Sequence, residues 1–184
     1  MHVIKQSIIQ YNYICKSRYY QIRNIGLIRK YINDETCKTF VQALIISRLD
    51  YRNALLYNTP PPSLTNRLQR VQNCAARLVA RTHKRAHITP VFFQLHWLPV
   101  RFRSVYKILF LTSKVLNGIA PVYLNDLIEK YIQVKMLRSE SYSPLRVPRS
   151  HTAMYGERSF RASAPRLWNE LPNHIKLAAS RHIL

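Results

Sequence analysis

Apolar side chains recur along most of this chain at intervals of three and four, the spacing that gathers them on one face of an α-helix. A first helical pattern lies within residues 3–31. The next begins after Asn33, which can cap a helix, with Asp34 and Glu35 in the first turn where the dipole favours anions. Its apolar series is Cys37, Phe40, Val41, Leu44, Ile45, Ile46 and Leu49, continuing toward Leu55 and Leu56. Pro60, Pro61 and Pro62 stop it, because a residue preceding proline avoids helical geometry. A third helix is predicted from about Ser63 to Arg81, and a fourth from about Pro99 to Asn117 with Gly118 as its C′ residue. A short helix from Tyr123 to Tyr131 follows Pro121. From Lys135 onward, in MLRSESYSPLRVPRSHTAMYGERSF, Ser and Pro punctuate short apolar runs, which predicts loop with one or two short strands. A last short helix is expected over Ser163 to Leu171, anchored by Trp168.

The predicted fold is therefore mostly α: a small helical bundle with a loop-rich C-terminal third containing one or two short strands. It divides into a basic helical segment over 1–33, a basic helical domain over 34–134 and a tail over 135–184.

The third helix carries the most informative pattern. On a helical wheel Leu64, Leu68, Val71, Ala75, Leu78 and Val79 share one side, an apolar stripe that packs on a core. Arg67, Arg70, Arg77 and Arg81 line one flank of that stripe, and the uncharged Gln69 and Gln72 lie on the other. Arginine stems do run along apolar surface while the head stays in water, so a basic flank by itself implies only a solvated face. Composition changes the picture. The chain carries 29 Lys or Arg against 8 Asp or Glu, a formal charge of +21. Between Asp50 and Asp126 there are eleven Lys or Arg and no acid. Like charges at helical spacing repel by a few tenths of a kcal/mol per pair, and nothing inside that interval neutralises them. A polyanion would. This predicts an RNA or DNA partner held by Arg67, Arg70, Arg77, Arg81, Lys84 and Arg85, helped by Arg101 and Arg103 at the start of the fourth helix. Lys107 and Lys114 fit a solvated face as well as a phosphate contact.

Little else points to chemistry. Cys15, Cys37 and Cys74 are widely spaced and form no C-x-x-C pair, consistent with reduced thiols in an intracellular protein of nucleus or cytoplasm. His83, His87 and His96 have no thiol or carboxylate companion at ligand spacing and are expected to be structural. Trp97 and Trp168 are expected in the core. No apolar run reaches the ~18 residues of a membrane span. The first 33 residues contain no acid, but their five tyrosines and lack of a small-residue cleavage pattern argue against a mitochondrial leader. No phosphate loop, nucleophile elbow or carboxylate cluster occurs, so neither a cofactor, a metal nor a small-molecule substrate is expected.

Six words in order, SRLDYRNALLYNTP, RLQRVQNCAARLVARTHKRAHITPV, QLHWLPVRFR, YKILFLTSKVLNGIAPVYLNDLI, LRVPRS and YGERSFRASAPRLWNELP, carry a resemblance over about Tyr19 to Ile175. They resemble the C-terminal part of jockey-like, LINE-type non-LTR retrotransposon polyproteins, the thumb and tail that follow the reverse transcriptase palm. The resemblance implies a parent RNA-directed DNA polymerase, which would use Mg, with 1–33 continuing from the palm and 34–134 as the thumb-like part. The polymerase's Tyr/Phe-x-Asp-Asp word has no counterpart here: Asp50 and Asp126 stand alone and Asp34 precedes Glu35. The endonuclease portion is absent too. The expectation is a fragment that binds template–primer or element RNA and does not polymerise by itself. The alternative is a host-adopted or ribosomal-type basic RNA-binding or interaction module.

Overall fold

The computed structural model describes residues 2–51, 62–131, 144–149, 156–157 and 159–176. Eight α-helices are present among them: α1 (His2–Ile28), α2 (Asp34–Val41), α3 (Ser47–Asp50), α4 (Pro62–Ala80), α5 (Thr89–Leu95), α6 (Val100–Leu116), α7 (Val122–Asn125) and α8 (Phe160–Glu170). A π-helical turn, Gln42–Ile46, joins α2 to α3. The chain forms two compact units, Met1–Leu56 with Pro60–Arg103, and Tyr57–Thr59 with Ser104–Leu184.

The first unit is built around α4. Leu68, Val71, Ala75 and Val79 are buried there with Cys15 and Ile25 of α1, Cys37 and Val41 of α2, Phe92 of α5, Trp97 and the first residue of α6, Val100. Asn12 of α1 meets Arg67, Gly26 lies below Leu78, and Arg29 reaches the Leu78 and Val79 carbonyls, so α1 and α4 run in the same direction. Asn33 does cap α2, its Oδ1 accepting from the Thr36 amide at 2.7 Å. The apolar series that follows is only partly buried. Val41, Ile45, Ile46 and Leu49 are inside, while Phe40 and Leu44 are exposed. The π-helical turn accounts for Leu44, since one extra residue per turn rotates the side chains from Gln42 onward away from α-helical register; Phe40 precedes the turn. The Arg18 guanidinium donates to the Leu44 carbonyl in that turn.

The two glutamines on the other flank of α4 are engaged in hydrogen bonds. Gln72 is fully buried and donates to the Leu98 carbonyl at 2.8 Å. Gln69 accepts from the Val100 amide at 2.9 Å, capping α6, and donates to Asn73 at 2.8 Å. A buried amide with its hydrogen bonds made is tolerated, and these two dock the segment around Leu98. Helix α5 was not expected at all. Gly118 takes a left-handed φ of 71° after α6, with Ile119 donating to Lys114 and Gly118 to Val115, a Schellman closure.

Burial pushes the Cys15 and Cys37 thiols up, with Arg67 and Arg29 respectively pulling them back. A higher thiol pKa means less of the reactive thiolate at pH 8. Iodoacetamide should therefore modify half-buried Cys74 first and spare Cys15 and Cys37 until the protein is unfolded. Mass spectrometry of the alkylated peptides checks this, and early loss of Cys37 would mean that the α1–α2–α4 core opens.

In the second unit α6 and α8 form where expected, the helix expected from Tyr123 to Tyr131 is only the turn Val122–Asn125, and the strand expectation does not hold. Trp168 of α8 is buried as expected. Among the described residues there is no strand, only an isolated antiparallel bridge between Lys130 and Leu145. Its hydrogen bonds run from Tyr131 to Pro144 O and from Arg146 to Glu129 O, both at 2.9 Å. Two features stop a ladder from growing. Pro144 and Pro148 have no N–H to donate. On the far side, the Asn169 side chain takes both backbone groups of Leu145, accepting from its N–H and donating to its C=O at 2.9 Å each. A side-chain amide occupies the place of the next strand. The fold is a small, mostly α helical bundle. Most of the segment from Lys135 to Ser150 lies outside the described residues, as do Leu55, Leu56, Pro60 and Pro61.

Candidate nucleic-acid interface

The basic flank of α4 lies along α1. Arg67 and Arg70 are both exposed; Arg67 donates to Asn12 Oδ1 at 2.6 Å, a neutral partner that leaves its charge uncompensated. Arg70 makes no ion pair among the described residues. Tyr19 of α1 is in reach of both: burial pushes its hydroxyl up and the two arginines pull it back. An exposed ring beside two guanidinium groups can stack on a base while the arginines hold phosphates. Sequence reading did not single out Tyr19, because a tyrosine among twelve gains meaning only from its neighbours across the helix pair.

The C-terminal end of α4 holds the rest of the flank, and there part of the charge has a structural use. Arg81 follows the helix in the left-handed conformation, φ 51°, and Thr82 donates back to the Arg77 carbonyl at 3.1 Å. This is the Schellman position that glycine usually fills. Arg77 is half-buried and donates to Ala86 O at 3.2 Å; its Nε is buried without a hydrogen-bond partner among the described residues. That contact holds a turn in which Ala86 donates to His83 O, and Lys84 and Arg85 sit exposed at its tip. His83 and His87 are exposed, and His83 Nδ1 accepts from the Arg85 amide at 3.3 Å.

Two acids outside the acid-free stretch reach into it. Asp34 lies 3.5 Å from Arg81 Nε, and Asp50 accepts from Arg103 at 2.6 Å. Arg103 also donates to Leu98 O at 2.8 Å, the carbonyl that Gln72 uses. It therefore belongs to the hydrogen bonding around Leu98 on the glutamine flank. Arg101, exposed, lies over the neighbouring Phe102 ring at 4.3 Å. The structure brings together Arg67, Arg70, Arg77, Arg81, Lys84 and Arg85, and leaves Arg101 and Arg103 outside the group. These two acids change little in the total, since residues 1–103 hold seventeen Lys or Arg against Asp34, Glu35 and Asp50.

Arg81 separates stability from charge. A side chain held in the left-handed region costs on the order of 1 kcal/mol that glycine does not, while an exposed ion pair at 3.5 Å contributes little. Arg81→Gly should leave stability unchanged or raise it by about 0.5–1 kcal/mol in chemical denaturation, and weaken nucleic-acid binding severalfold. A marked loss of stability would show that Arg81 is kept for the fold.

Among the described residues no helix is long and apolar enough to cross a membrane, and no group of three His, Cys, Asp or Glu side chains converges as a metal site. Comparison with known protein families, with curated proteins and with solved structures finds no match to this chain.

Proposed function

We propose that this chain is a noncatalytic nucleic-acid-binding module that grips a phosphate backbone with the basic flank of α4 and the turn that follows it. The observation that supports this reading is the set of five exposed cations, Arg67, Arg70, Arg81, Lys84 and Arg85, with only Asp34 paired among them. Solvated helices intersperse both signs; this flank does not. The resemblance of its sequence to the region after a retrotransposon palm suggests RNA, DNA or their hybrid as the occupant, with polymerisation belonging to a parent protein.

Charge density makes the reading quantitative. Five phosphate contacts on a duplex give log affinity a slope of about −4.5 against log salt, roughly 500-fold between 50 and 200 mM. Fluorescence polarisation with labelled RNA, DNA and hybrid duplexes over that range measures it. Failure to bind any of them in dilute buffer removes the proposal. Pelleting with anionic vesicles, competed by RNA, separates it from a membrane-surface role.

A further inference from the structure

The second unit contains a cleft of its own. It is lined by Glu129, Arg146, Val147, Pro148, Arg149 and Arg161 and has a volume of about 560 Å³. Glu129 sits between two of the arginines, one oxygen accepting from Arg146 at 3.0 Å and the other from Arg161 at 3.2 Å. One carboxylate thus orients two guanidinium groups without neutralising both. Arg149 makes no ion pair among the described residues, so the cleft keeps a net positive charge.

Its walls are held by more than side chains. The segment carrying Arg146 and Arg149 is tied to Glu129 and Tyr131 by backbone hydrogen bonds on one side. On the other it is gripped by the Asn169 amide at Leu145, and Leu145 itself is buried. Arg161 stands in the first turn of α8, which has neither a side-chain cap nor an acid in that turn. Ser159 donates to Gly156 O instead of capping it. The positive end of the helix dipole adds to the field of the arginines. An exposed ion-paired cluster would be ordinary surface if its groups were mobile; here the backbone positions them before anything binds.

We propose that this cleft is a binding site for a terminal phosphate carried by a nucleotide-sized group. Arg146, Arg149 and Arg161 would hold the phosphate dianion through forked hydrogen bonds. The volume exceeds what a lone phosphate fills and lies in the range of small-ligand sites. The apolar wall of Val147 and Pro148, between the arginines in sequence, faces the remainder of the ligand. The phosphate comes either from a free nucleoside 5′-monophosphate or from the 5′ end of a strand.

The test uses the full chain labelled with ¹⁵N, following arginine Nε–Hε signals. Probes are AMP, inorganic phosphate, and short oligonucleotides with and without a 5′-phosphate. AMP should shift the Arg146, Arg149 and Arg161 signals at concentrations at least tenfold below those needed for inorganic phosphate. In the R67E/R70E background, shifts of these three signals at lower concentration of 5′-phosphorylated oligonucleotide than of AMP, lost without the 5′-phosphate, assign the site to strand ends, and the reverse order assigns it to free nucleotide. Arg149→Glu leaves both Glu129 pairs in place and should weaken AMP binding at least tenfold, whereas R67E/R70E on α4 should leave AMP binding unchanged. Equal affinity for AMP and inorganic phosphate, an unaffected R149E, or no shift at millimolar AMP would overturn the assignment.

Discussion

Arg29→Leu is expected to destabilise the first unit by about 3 kcal/mol or more, the largest single effect predicted for this chain. Arg29 is 8% exposed and lies where α1 ends, against the C-terminus of α4. Its guanidinium donates to Leu78 O at 3.0 Å, Val79 O at 2.9 Å and Ile32 O at 3.0 Å, and to Asp34 Oδ1 at 2.5 Å. The last carbonyls of a helix have no intrahelical partner, and Arg29 supplies one to two of them. It also places a positive charge at the negative end of the dipole. Leucine makes none of these bonds: the Leu78 and Val79 carbonyls lose the partner Arg29 supplied, each costing about 1–3 kcal/mol if it stays buried, and Ile32 O keeps only the Arg81 guanidinium at 3.5 Å. Arg29→Lys keeps the charge but not the planar fork, so it should recover less than half of the loss. Thermal denaturation followed by circular dichroism should show Tm falling by more than about 10 °C for R29L. A change within about 2 °C would mean that water replaces the guanidinium and that the carbonyls are not truly buried.

Asp34 completes that network from the outside. The hydrogen bond from Arg29 holds its carboxyl below the usual carboxylate range, with Arg81 adding to the effect. A depressed folded-state pKa contributes stability above the unfolded value near ~3.9, lost as pH falls through the lower folded value. Since the Asp34 side chain is exposed, that contribution is small beside the burial of Arg29.

Replacing Arg67 and Arg70 together by glutamate is expected to weaken RNA or DNA binding at least tenfold. The argument combines position and partner. Both are exposed on the α1-facing flank, neither has an ion pair among the described residues, and residues 51–125 contain no acid that could neutralise them. Each phosphate contact removed lowers the magnitude of the salt slope by about 0.9, so the double variant should move from about −4.5 to about −2.7. Arg77 is a poorer choice because its bond to Ala86 holds the turn carrying Lys84 and Arg85. Arg103→Glu serves as the contrast: it breaks the pair with Asp50, so it should lower stability while changing the salt slope little. If R67E/R70E binds with wild-type affinity and slope, the α4 flank is not the interface.

Helix locations were legible along the chain because helix signals are local. Asn33 with its two following acids, Gly118 in a left-handed position, and the apolar stripe of α4 each depend on residues within a few positions. The strand reading failed because strands need a partner, and Pro148 with the Asn169 amide closes off both ways of extending one. The π-helical turn was invisible for a related reason. Its extra residue leaves the Leu44 carbonyl to be met by Arg18, which lies elsewhere in the chain.

Sequence alone determined that this chain is predominantly helical, strongly basic, and free of acids over residues 51–125. Which cations remain available was decided only in three dimensions. Asp50 reaches Arg103, the α4 carbonyls and Asp34 claim Arg29, and Gln69 and Gln72 hold the Leu98–Val100 backbone. Charge is a property of composition, whereas neutralisation acts over a few ångströms, and residues that close are set by packing rather than by their order in the chain.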